Sequence, residues 1–214
     1  MPLTFAERPA RAAEPAGLLV LHHGRGSDEQ DLIGLAPVLD PERLHVVAPR
    51  APLRVPGSPG YHWYLVPRVG YPDPESFRAA YRELAALHDE LWERTGIGPD
   101  RTVLGGFSMG TVMSYALGLG ADRPPVAGIL ALSGFVPTLE GWEPSLEDRQ
   151  ATRVLIAHGR QDMVIPVTFA RQAHELLESA GLAVDYRESD AAHHVDPADV
   201  PRVTAWLADT LPGK

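Results

Sequence analysis

The feature that most limits what this chain can fold into is an alternation. Short runs dense in Val, Leu and Ile end in glycine or another small residue, and amphipathic stretches separate them. The runs are Leu18 to His22, His45 to Ala48, Thr102 to Gly105, Gly128 to Leu132, Arg153 to Ala157 and Ala183 to Arg187. Most are continuously apolar rather than alternating with polar residues. That pattern belongs to strands buried on both faces, as in a parallel sheet covered by helices.

The intervening stretches carry helical signals. Ser27-Asp28-Glu29-Gln30 has the capping-box spacing, and Leu32, Leu35 and Leu39 follow as an apolar stripe. Asp73-Pro74 reads as an N-cap followed by proline at the first helical position. Phe77, Tyr81, Leu84, Leu87 and Leu91 then recur at helical spacing until Gly96. Phe169, Ala173, Leu176, Leu177 and Ala180 form a further stripe closed by Gly181, and Asp196-Pro197 opens a last helix with Val200, Val203 and Leu207. Strand and helix in alternation predict an α/β fold, a mostly parallel central sheet with helices on both faces.

A length of 214 residues fits a single domain, 1–214, and needs no covalent staple. The chain has no cysteine, which excludes a disulfide framework, a thiol nucleophile and a cysteine-based zinc site. Lys214 is the only lysine, which argues against a Walker-type phosphate loop or a Schiff base. The net charge of −9 disfavours a nucleic-acid partner. No apolar run approaches the ~20 residues of a membrane span; the first 20 residues carry Glu7 and Glu14 and lack a long apolar run, so no signal or transit peptide is expected. A cytoplasmic location without stable membrane insertion is expected; the oligomeric state is open.

The proline- and glycine-rich residues 49–72 break the rhythm and contain the cluster Tyr61-His62-Trp63-Tyr64. A loop of that length without regular structure is usually functional or disordered. Four ring side chains in a row favour an ordered loop beside a site.

The sharpest local signal is Gly106-Phe107-Ser108-Met109-Gly110, placed after the run Thr102 to Gly105 and before the apolar positions Val112, Met113 and Ala116. A G-x-S-x-G between strand and helix is a nucleophile elbow, and Ser108 is the candidate nucleophile. A serine hydroxyl needs a general base. In the chain order serine, acid, histidine, the base follows the last strand, where His193 and His194 stand. Asp162, in the loop after Arg153 to Ala157, is the candidate acid, with Asp190 and Asp196 as alternatives. Charge developing on an attacked carbonyl oxygen calls for backbone donors. The N–H of Met109 is one, and the turn His22-His23-Gly24-Arg25-Gly26 offers the N–H of Arg25 as the other. A metal hydrolase built on His22-His23 and His193-His194 is disfavoured, because adjacent strand residues point to opposite faces and no H-E-x-x-H is present.

Together these segments resemble the phospholipase/carboxylesterase family of α/β-hydrolases. The matching pieces are His23-Gly24-Arg25-Gly26-Ser27, Gly105-Gly106-Phe107-Ser108-Met109-Gly110, His158-Gly159-Arg160-Gln161-Asp162 with Val164-Ile165-Pro166, and His193-His194-Val195-Asp196-Pro197. The family pattern has proline four residues after its histidine, which selects His193 as the base. Departures are Ala192 where glycine is usual, Met109 where glutamine is common and Arg25 where an apolar residue is frequent. The resemblance implies the α/β-hydrolase fold and a serine carboxylesterase acting on short- to medium-chain acyl esters, thioesters or lysophospholipids, with no cofactor and no metal. A serine peptidase, a lactone hydrolase or a non-catalytic binding protein are the alternatives on the same fold. It also implies that Trp63 and Leu65 contact the acyl chain, the alternative being aromatic packing under the long loop. Residues 133–152 are too few for the cap domain that often inserts there, so an open site is expected.

Overall fold

The computed structural model describes residues 3–40 and 42–212. In chain order the elements are β1 (Phe5–Arg8), β2 (Gly17–His22), the short helices α1 (Glu29–Ile33) and α2 (Ala36–Leu39), β3 (Leu44–Pro49), β4 (Leu53–Arg54), β5 (Tyr61–His62), α3 (Pro74–Thr95), β6 (Thr102–Phe107), α4 (Met109–Leu119), β7 (Gly128–Leu132), β8 (Arg153–Gly159), α5 (Thr168–Ser179), β9 (Val184–Ser189) and α6 (Val200–Thr210). The main sheet runs β1-β3-β2-β6-β7-β8-β9, and β4 pairs with β5 in a separate hairpin. Only the edge pair β1–β3 is antiparallel in the main sheet; the others are parallel.

The continuous apolar runs divide by the two-residue period of a strand. Leu18, Val20, Leu104, Ile129, Ala131, Val154 and Ile156 face one core, which α3, α4 and α5 cover with Phe77, Leu84, Met113 and Leu177. Leu19, Leu21, Val103, Leu130, Leu132, Leu155 and Ala157 face the other, under Leu32 and Leu39 and under Val203, Trp206 and Leu207 of α6. Every central strand is therefore buried on both faces, which is why none of them alternates in sequence.

The caps behave as their chemistry requires, with one shift. Asp73 accepts from the Ser76 amide at 2.9 Å to start α3, and Gly96 ends it in the left-handed region at φ 66°. Asp28, not Ser27, caps α1, accepting from the Gln30 amide at 2.9 Å. Ser27 is instead drawn into an antiparallel bridge with Tyr61, so its backbone belongs to the loop rather than to the helix start. Residues 133–152 contain no helix and no strand of either sheet.

Parallel order brings the carboxyl ends of β2, β6, β8 and β9 to one edge. The loops leaving them, at residues 23–28, 108, 160–167 and 190–199, converge there.

Candidate active site

The turn from β6 into α4 places Ser108 at φ 55° and ψ −118°, a region a non-glycine residue rarely occupies. Its amide donates to the Leu132 carbonyl at 2.8 Å, which ties the turn to β7. The glycines on either side are sterically required. A Cβ on Gly106 would overlap the Gly110 carbonyl, and one on Gly110 would overlap the carbonyls of His22 and His23. With both absent, α4 packs directly on β6 and β2, and the serine sits at the positive end of the helix.

His193, in the loop after β9, brings Nε2 to 2.9 Å from the Ser108 hydroxyl oxygen. Its Nδ1 lies 2.6 Å from Oδ2 of Asp162, so Nδ1 donates to the carboxylate and Nε2 is left to accept the serine proton. Phe107 packs against the imidazole with ring centroids 5.0 Å apart. Asp162 is buried, and its other oxygen accepts from the amides of Val164 and Ile165 at 2.8 Å each. Burial pushes the Asp162 pKa up. The bonds from His193, Ile165 and Val164 outweigh it and hold the carboxyl below its ordinary value.

The competing candidates lie elsewhere. His194 is exposed, Asp190 pairs with Arg160 at 2.6 Å, and Asp196 caps the turn before α6 by accepting from Ala198 at 2.9 Å. His22 and His23 are buried, with their ring nitrogens facing protein groups: Ser114 and His88 for the first, the Gly24 carbonyl and Ala51 amide for the second.

A cleft of about 420 Å³ opens over Ser108 and His193. Arg25 and Met109 both line it, and among the described residues neither amide has a backbone acceptor outside regular structure. Tyr64, Val66, Phe135 and Ile165 supply apolar wall. Trp63 and Leu65, the expected acyl contacts, are not among the residues that line it. Trp63 is fully buried with its indole N–H on the His23 carbonyl at 2.9 Å, and Leu65 is exposed. Tyr64 and Val66, beyond the end of β5, line the cleft instead. Phe135 was not legible, because residues 133–152 carry no periodic pattern. Nor was His158, which is buried 3.4 Å from Asp162 and donates from Nε2 to the Ile165 carbonyl at 2.8 Å. Its position at the end of a strand run was the available signal.

No helix among the described residues is long and apolar enough to cross a membrane. The family model described as phospholipase/carboxylesterase matches residues 6–211. Mouse lysophospholipase-like protein 1 is 26% identical over 203 residues, covering 90% of this chain and 84% of that protein. Acyl-protein thioesterase 1 of Gibberella zeae is 32% identical over 124 residues, 56% of this chain and 52% of the relative. The crystal structure of esterase PE8 superimposes with a TM-score of 0.80 at 30% identity, over 99% of this chain and 100% of that one. The chain adopts the α/β-hydrolase fold and belongs to the phospholipase/carboxylesterase family of hydrolases.

Proposed function

We propose that this protein is a serine carboxylesterase that cleaves short- to medium-chain acyl esters through an acyl-enzyme on Ser108. One observation carries the reading: an unbroken hydrogen-bonded relay, 2.9 Å from Ser108 to His193 and 2.6 Å on to Asp162, at the floor of an apolar cleft.

His193 Nε2 removes the Ser108 proton as Oγ attacks the ester carbonyl carbon. The carbonyl π pair moves onto oxygen, and the amides of Arg25 and Met109 stabilise that oxyanion. The tetrahedral adduct collapses, its C–O bond to the alcohol breaks, and the imidazolium returns the proton to the departing oxygen. Water, deprotonated by the same imidazole, attacks the acyl-enzyme, and collapse of the second adduct frees the acid and regenerates Ser108. Asp162 keeps its charge throughout and fixes the tautomer that leaves Nε2 free.

The apolar walls suit an aliphatic acyl chain, and a thioester carbonyl would pass through the same steps. The name of the Gibberella relative, an acyl-protein thioesterase, gives thioesters a place in the same substrate panel. Hydrolysis of p-nitrophenyl butyrate by purified Ser108→Ala protein is the test. Loss of turnover with an unchanged fold is expected, and turnover at the parent rate would dispose of the reading.

A further inference from the structure

Directly behind the cleft lies a layer of buried polar side chains that takes no part in the proton relay. His23 is 1% exposed. Its Nδ1 lies 2.7 Å from the Gly24 carbonyl oxygen, and its Nε2 lies 3.0 Å from the Ala51 amide nitrogen. A carbonyl oxygen only accepts and an amide N–H only donates, so the two contacts define one neutral tautomer: hydrogen on Nδ1, lone pair on Nε2. Burial, which lowers the pKa of this ring, supports the neutral form.

The carbonyl that His23 holds belongs to the same peptide unit as the Arg25 N–H. No cis peptide is present among the described residues, and a trans peptide is planar with C=O and N–H on opposite edges. Fixing the Gly24 oxygen toward the buried ring therefore directs the Arg25 hydrogen the other way. Gly24 and Arg25 both line the cleft.

Trp63 braces the same layer. Its indole N–H donates to the His23 carbonyl at 2.9 Å, and its own amide reaches the Met109 sulfur at 3.2 Å. Trp63 thus contacts both Met109 and the loop that carries Arg25, the two residues whose N–H groups are assigned to the oxyanion in the reading above. The rings of His23 and Trp63 pack with centroids 5.3 Å apart.

We infer that His23 is a positioning residue: by donating from Nδ1 to the Gly24 carbonyl it aims the Arg25 N–H at the oxyanion, with Trp63 bracing the loop from below. This rests on the serine-esterase reading above, and it assigns His23 no contact with substrate.

Two substitutions separate the ring's two bonds. His23→Asn keeps a donor at the Nδ1 position; His23→Gln keeps only a group at the Nε2 position, facing Ala51. Each is compared with the parent in kcat, KM and affinity for butylboronic acid, which forms a tetrahedral adduct on serine. For the Gln variant kcat is expected to fall about 10²-fold, as for loss of one oxyanion donor, with KM little changed and boronate affinity falling in parallel. The Asn variant is expected to recover most of both. Equal losses in the two variants, or a fall in kcat without a fall in boronate affinity, would overturn the assignment.

A measurement on the unaltered protein covers the case in which neither variant folds. Nitrogen-15 NMR of the histidine rings should find His23 neutral with hydrogen on Nδ1, and hydrogen on Nε2 would refute the proposal. The ring spectrum is independent of turnover. A Ser108→Ala protein that still hydrolyses esters would therefore defeat the esterase reading while leaving the His23 bond to be judged by its tautomer.

Discussion

Ser108 is held at a positive φ of 55°, a conformation that costs on the order of 1–3 kcal/mol and persists only where the surroundings enforce it. Here they do so through the Leu132 carbonyl and the two glycines. In the proposed mechanism the chemistry then depends on tautomer control. Asp162→Asn would keep the shape but not the charge, and would allow an amide N–H to face Nδ1. We expect kcat to fall by about 10⁴ with the melting temperature near that of the parent, measured on p-nitrophenyl butyrate. A loss of only a few-fold would mean that Asp162 does not set the tautomer. At the cleft wall, Val66→Trp should shift the chain-length profile toward shorter acyl groups, whereas Leu65→Ser should leave it unchanged. The sequence placed serine, acid and base by order and motif, and the relay brings those residues together. Trp63 is sealed in the core while its neighbour Tyr64 lines the cleft, a difference that composition alone does not reveal. The hydrogen bonds of Trp63 are made to atoms of Met109 and His23, distant in sequence, so no local pattern could announce them.

At the scale of elements, the elbow works because α4 lies on β6 and β2 with nothing between the backbones. Gly110→Ala should therefore destabilise the fold by at least about 1–3 kcal/mol, read as a lower urea midpoint, with turnover falling as the elbow shifts. An unchanged midpoint would show that α4 can move away freely. The central strands were legible to within two residues, because burial on both faces leaves a solid apolar run. The edge strand β1 was not: all four of its residues are half-buried, and Phe5, Ala6, Glu7 and Arg8 read as no periodic strand. The two-residue strands β4 and β5 are set by pairing across the loop rather than by propensity. The start of α1 moved one residue because Ser27 bonds to Tyr61, a contact made by the fold and invisible in the capping-box spacing.

Across the whole molecule, the buried histidines tie stability to pH. Burial lowers the pKa of His22, His23 and His88, the last to about 3. Unfolded, each ring takes up a proton below about 6.5, while the folded rings stay neutral. Between those values the unfolded state binds more protons, so stability must decline as pH drops below about 6.5. Glu188 adds to the decline at lower pH. The Arg171 bond holds it at about 2, so its contribution is present above 4.5 and lost as pH falls toward 2. Urea midpoints measured from pH 7 to 4 should fall steadily, and His88→Phe should make the slope shallower; a flat profile would contradict neutral burial. The central claim is tested most directly by a fluorophosphonate probe and peptide mass mapping. We predict one adduct per chain, on Ser108, formed rapidly by the parent and at a greatly reduced rate by His193→Ala. An unlabelled Ser108, or labelling that proceeds equally fast without His193, would contradict it.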